Sequence, residues 1–126
     1  GRYQIEAAIQ SAHIARRLSG VATWAEIVAL YDHLERLTGS PVAALNRAVA
    51  RAELQGPEAA LAGIEPLAGD RRVTDYQPYW AALGHLLARA GRRAEAIEAL
   101  RLAAGLATDE SVRRYLGKRI AALHNG

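Results

Sequence analysis

The chain has 126 residues, of which 51% are hydrophobic and 23% charged, enough for one globular domain with its own core and too apolar for a disordered segment. It holds 28 alanines and no Cys, Met or Phe, which removes disulfides, thiolate metal sites and thiol nucleophiles. The formal charge of +3 is concentrated: residues 111–126 carry Arg113, Arg114, Lys118 and Arg119 with no acid, while the other 110 residues hold 12 bases against 13 acids.

No apolar run reaches bilayer length and no signal-like core opens the chain, so a soluble cytoplasmic protein without membrane contact is expected. The absent initiator Met suggests a piece of a longer protein. In chain order, Ile5, Ala8, Ile9 and Ala12 recur at helical spacing and predict a first helix over 3–18, stopped near Gly20. Thr23-Trp24-Ala25-Glu26 reads as a capping box opening a helix over 24–38, whose apolar face carries Ile27, Leu30, Tyr31 and Leu34. Gly39 ends it, and Ser40-Pro41 is an N-cap followed by a proline at the first helical position, opening 41–55. Gly56-Pro57 closes that helix and begins the next, over 57–67, which Pro66 should end or bend early. A polar loop from Ala68 to Asp75, with Arg71 and Arg72, leads to helices over 76–90, 92–106 and 109–124, with a stop at Gly91 and Asp109-Glu110 at the last N-terminus.

Six of the seven helices pair into three antiparallel hairpins. Their turn glycines, Gly20, Gly56 and Gly91, lie 36 and 35 residues apart, which points to a repeat. Trp80-x-x-Leu83-Gly84-x-x-Leu87, followed by Ala96-x-x-x-Leu100 and Ala103, resembles the tetratricopeptide unit. Small Gly84 and Ala96 would let two helices approach closely while Trp80, Leu83, Leu87 and Leu100 fill the space between hairpins. Leu45, Ala48, Val49 and Ala52 match less closely, and the first unit is the most diverged, with His13 at its small position. The expected fold is all-α: a right-handed superhelical stack of three tetratricopeptide-like hairpins in a single domain over 1–126, with the last helix as a solvating cap.

Four strings carry a further likeness: Tyr3-Gln4-Ile5-Glu6-Ala7-Ala8-Ile9 with His13; Trp24-Ala25-x-Ile27-x-x-Leu30-Tyr31-Asp32; Ser40-Pro41-Val42-x-x-Leu45-Asn46-Arg47-Ala48-Val49-Ala50; and Gly56-Pro57. They resemble the C-terminal region of a group of bacterial extracytoplasmic-function RNA polymerase sigma factors, in which a helical extension follows the regions that bind polymerase and promoter. The resemblance spans Tyr3 to Leu123, and Leu-Asn-Arg-Ala-Val-Ala is its most specific part. It implies a regulatory protein-interaction extension in contact with the sigma regions of its own chain, RNA polymerase or a regulatory protein. It implies no promoter binding by these residues, which contain neither promoter-melting helices nor a helix-turn-helix.

The first helix of each hairpin lines the inner wall of such a stack, which places Gln10, Ser11 and Arg17, then Asn46, Arg47 and Glu53, then His85 and Arg89 in a protein-binding groove. An Asn amide donates and accepts, and an Arg fork clamps carboxylates, so Asn46 and Arg47 suit a peptide partner. Equally, Asn46 could bond a helix end and Arg47 an acid within the fold. Tyr3, Gln4, Trp24 and Tyr31 read as an aromatic docking patch, with core packing the alternative for Trp24 and Tyr31, and His13 reads as a hydrogen-bonded interhelix residue. His13, His33, His85 and His124 show no metal-ligand spacing, and nucleophile, P-loop and dinucleotide motifs are missing. No enzyme, metal, cofactor or small-molecule substrate is therefore expected. The basic last helix, with only Tyr115 interleaved, reads as a solvated face rather than a nucleic-acid surface. A free-standing peptide-binding adaptor acting in trans is the alternative function.

Overall fold

The computed structural model describes residues 1–19 and 23–126, with side chains for 1–17 and 23–126, so the stop expected at Gly20 lies outside the described residues. The elements are α1 (Arg2–Ser19), α2 (Trp24–Thr38), α3 (Pro41–Gln55), α4 (Pro57–Ile64), a 3-10 turn (Glu65–Gly69), α5 (Arg71–Thr74), α6 (Gln77–Arg89), α7 (Arg93–Leu106) and α8 (Glu110–Asn125). Among the described residues there is no strand, and no helix is long and apolar enough to cross a membrane. The chain divides into two compact units, Gly1–Ile64 and Glu65–Gly126.

Polar caps place the boundaries in the first unit. Thr23 Oγ1 accepts the Glu26 N–H at 3.2 Å, and Ser40 Oγ accepts those of Val42 and Ala43 at 3.2 and 3.4 Å. Each supplies a partner to a helix-start donor that has none inside the helix. Gly39 ends α2 in the left-handed region at φ 65° and ψ 17°. Gly56 differs: at φ 89° and ψ 168° it occupies an extended region open only to glycine, and so swings the chain directly into Pro57.

α1 packs on α2, α2 on α3 and α3 on α4. α3 is the alanine-rich centre of this unit, burying Ala43, Ala44, Leu45, Ala48, Ala50 and Ala52. Such short side chains let flanking helices come close and be filled from the other side, and Ile27, Leu61 and Ile64 are almost completely buried.

The fourth helix stops three residues earlier than its expected end, at Ile64, and the chain continues as the 3-10 turn containing Pro66. Proline has no N–H to give an α-helical bond and its ring clashes with the preceding turn, so the helix changes type there. The segment read as a polar loop instead contains the four-residue helix α5. Asp70 caps it by accepting the Arg72 N–H at 2.9 Å and also takes the Arg72 guanidinium at 3.1 and 2.8 Å, while Val73 is fully buried. Arg72 holds the Asp70 carboxyl below the usual carboxylate range, first through that side-chain bond.

In the second unit α5 packs on the 3-10 turn and α6, α6 on α7 and α7 on α8. The Trp80 indole N–H donates to the Thr74 carbonyl at 2.8 Å, and its ring meets that of Tyr79 edge-on at 4.9 Å. Leu100, Ala103 and Leu116 form a buried cluster joined by Trp80, Ala81, Ala104, Ile120 and Leu123. The tightest approach is at Gly84, where a methyl group would stand 2.7 Å from both Cγ and Cδ2 of Leu100 and 3.3 Å from the Ala96 carbonyl oxygen. The close fit expected of Gly84 is therefore a contact between α6 and α7.

Gly84→Ala sets overpacking of about 1–3 kcal/mol against a helix-propensity gain of about 1 kcal/mol, and is expected to destabilise the protein. Gly117, also within a helix, has nothing within 4 Å of an added methyl, so Gly117→Ala is expected to stabilise by up to about 1 kcal/mol. Urea unfolding of the pair checks this: equal shifts of the same sign would mean that the α6 and α7 seam is loose.

Candidate functional site

In the first unit α1, α2 and α3 enclose an open cleft of about 440 Å³. Ile9, Leu34, Val42 and Ala43 give it apolar surface, while Gln10, Tyr31, Thr38 and Asn46 bring hydrogen-bonding groups to it. A second hollow of about 150 Å³ is lined by His13, Trp24, Tyr31, Asn46, Val49, Ala50 and Glu53. Tyr31 and Asn46 line both, so the two adjoin.

The positions singled out in the sequence separate. Gln10 and Asn46 line the cleft, and Glu53 the smaller hollow. Arg17 is exposed on α1, with its charge close enough to act on His13. Arg47 is engaged within the fold: its Nη1 donates to Asp32 Oδ1 at 2.9 Å and ion-pairs with Glu35, and Asp32 also meets Arg36 at 3.2 Å. Successive helical residues point about 100° apart, so with Asn46 on the cleft its neighbour turns to the acids of α2. His85 and Arg89 are exposed on α6 in the second unit.

His13 Nε2 and the Tyr31 hydroxyl are 3.4 Å apart, which makes His13 an interhelix residue as expected. Its ring meets the Trp24 edge at a centroid distance of 6.0 Å, and the Arg16 guanidinium lies 4.2 Å over the same indole in a cation–π contact. Burial pushes the His13 pKa below its ordinary 6.5, and the charges of Arg16 and Arg17 push it further. Burial likewise raises that of Tyr31.

Reading only the first helix of each hairpin as groove wall left out the α2 contribution of Tyr31, Leu34 and Thr38. Their spacing of three and four residues marks one helix face, and that was the available signal. Chemically, the cleft offers the carboxamides of Gln10 and Asn46, which can pair with peptide N–H and C=O groups, beside apolar surface and the Arg2–Glu6 ion pair; the Thr38 hydroxyl is already bonded to the Leu34 carbonyl and that of Tyr31 faces His13. Among the described residues no group of three His, Asp or Glu is placed to hold a metal ion.

The chain is 46% identical over 116 residues to a protein of Rhizobium meliloti (strain 1021) described as uncharacterized, an alignment covering 92% of this chain. The chain spans 27% of the length of that curated relative. No protein-family model matches the chain, and no solved structure matches it.

Because the fold disfavours protonated His13, the unfolded chain takes the proton first as pH falls through 6.5, so this residue's contribution to stability falls with pH there. A nuclear magnetic resonance titration is expected to place the His13 midpoint below 6.5, and Arg16→Gln should raise it. Replacing partly buried Arg47 by Met takes the cation from Glu35 and leaves Asp32 with Arg36 alone, and is expected to lower stability by about 1–3 kcal/mol. A urea midpoint unchanged from the parent would show that the ion pairs of Arg47 add nothing.

Proposed function

We propose that this chain is a tetratricopeptide-like interaction region of a bacterial extracytoplasmic-function sigma factor, and that it modulates transcription initiation through protein contacts in the cytoplasm. The observation that carries an interaction role is the cleft over α1 to α3, where Gln10, Tyr31 and Asn46 border apolar surface beside the Arg2–Glu6 ion pair. The transcriptional part rests on the resemblance of the Tyr3, Trp24, Ser40 and Gly56 strings. A bacterial relative with nearly three quarters of its length outside the alignment is consistent with further regions. On this reading the hairpins stack in a right-handed superhelix, and the cleft takes a polypeptide segment of the sigma regions, of polymerase or of a regulator. Such contacts act as a switch only if they differ in energy between the idle and competent factor.

The cleft also favours a second reading, a peptide-binding adaptor acting in trans, because all its lining residues lie within one unit. In-vitro transcription with polymerase and the complete natural protein, compared with a form lacking this region, separates the two. A changed transcript yield supports the sigma-factor reading; a complete protein that neither binds polymerase nor directs transcription supports the adaptor. In either case the double variant Gln10→Ala, Asn46→Ala is expected to weaken partner binding about tenfold, the loss of two hydrogen bonds of roughly 0.5–1.5 kcal/mol each, as measured by calorimetry.

A further inference from the structure

We infer that the smaller hollow of the first unit is a binding site for an uncharged aromatic ring. Three helices build it, with His13 from α1, Trp24 and Tyr31 from α2, and Val49, Ala50 and Glu53 among the residues from α3. Trp24 and Tyr31 are seven residues apart, two helical turns on one face of α2, and the α3 residues share a face by the same spacing rule. His13 joins the two rings of α2, with centroid distances of 6.0 Å to Trp24 and 6.2 Å to Tyr31. Three rings therefore wall one small space. Its volume of about 150 Å³ matches that of an engineered apolar core cavity that takes up a benzene molecule.

The chemistry of the walls selects the occupant. His13 Nε2 and the Tyr31 hydroxyl face each other at 3.4 Å, so these two polar atoms serve one another. Val49, Ala50 and the ring carbons offer no hydrogen bond, whereas a water molecule needs two to four polar partners to stay in such a space. Charge is disfavoured in either sign. The Arg16 guanidinium lies 4.2 Å over the Trp24 ring and Arg17 adds positive charge near His13, which repels a cation, while exposed Glu53 at the rim repels an anion. Burial and those arginines hold the His13 pKa below 6.5, so its ring is itself largely neutral above that pH. Among neutral occupants, a flat ring makes edge-to-face contacts with the walls that an aliphatic group of the same size does not, an advantage of about three- to tenfold in affinity. Tyr31 and Asn46 line both this hollow and the cleft. If the cleft holds a polypeptide, a source that rests on the function proposed above, the ring is a phenylalanine side chain of the bound segment; a free aromatic molecule offers the same ring, and the site itself does not rest on that reading.

Benzyl alcohol, cyclohexylmethanol, benzylamine and benzoate, probes of similar size, test the site in this 126-residue chain. Nuclear magnetic resonance reads them, because the two indole N–H signals belong to Trp24 and Trp80 and report on different units. Benzyl alcohol is expected to bind saturably at about millimolar concentration, to move the Trp24 signal but not that of Trp80, and to show nuclear Overhauser contacts from its ring to the Val49 methyl groups. Cyclohexylmethanol should bind about three- to tenfold more weakly, and the two charged probes at least about tenfold. Val49→Phe sets a ring into the hollow and should abolish binding with the circular dichroism unchanged; if that variant unfolds, the contacts in the parent protein decide. A peptide with one phenylalanine among glycines separates the sources. Tighter binding than benzyl alcohol, lost in Gln10→Ala while benzyl alcohol is unaffected, makes the ring a side chain; equal binding keeps the site for a free aromatic molecule and removes the polypeptide reading of the cleft. The inference is overturned if benzyl alcohol does not saturate, if the Trp80 signal moves as that of Trp24 does, or if cyclohexylmethanol or either charged probe binds as well.

Discussion

The distance at which helices can pass one another governs this molecule, and alanine and glycine set it. With no Phe or Met in the sequence, there is little bulky, adaptable material to fill wide gaps, so the helices must come close. At Gly84 the absence of a side chain is filled by Leu100 itself, and along α3 five alanines and one leucine form the buried side. The same requirement explains why buried polar or charged residues do not occur among those described: so narrow a seam leaves no room for a solvated group.

The cleft is a product of this packing. With α3 narrow and α2 lying between it and α1 in sequence, side chains from all three reach a common hollow. Asn46 and Arg47 show how finely one helix divides its labour. One turns a carboxamide to the cleft, and the next turns a guanidinium to Asp32 and Glu35. A neutral amide can wait in solvent for a partner, whereas the partly buried arginine needs opposite charge nearby.

Much of the helix order was legible because each start or stop had a local chemical cause. Ser40, Thr23, Gly39 and Asp109 all act at the ends where the sequence put them. The Gly84 contact was legible too, because a glycine inside a helix that spends conformational entropy needs a packing reason. α5 was not legible, since four residues give no periodicity and Asp70-Arg71-Arg72 looks like any polar connector. The use of Arg47 was open for a different reason: sequence supplied the candidate acids but not the angle between α2 and α3. The α2 share of the cleft was missed because the repeat rule drew attention to first helices alone.

The two tryptophans fall one to each compact unit and in unlike surroundings. Trp24 lies beneath the guanidinium of Arg16, and Trp80 is tethered by its N–H to the Thr74 carbonyl. Each half of the chain therefore contains a natural fluorophore reporting on its own surroundings. With one indole replaced by phenylalanine, emission from the other would show whether the halves melt together or in sequence.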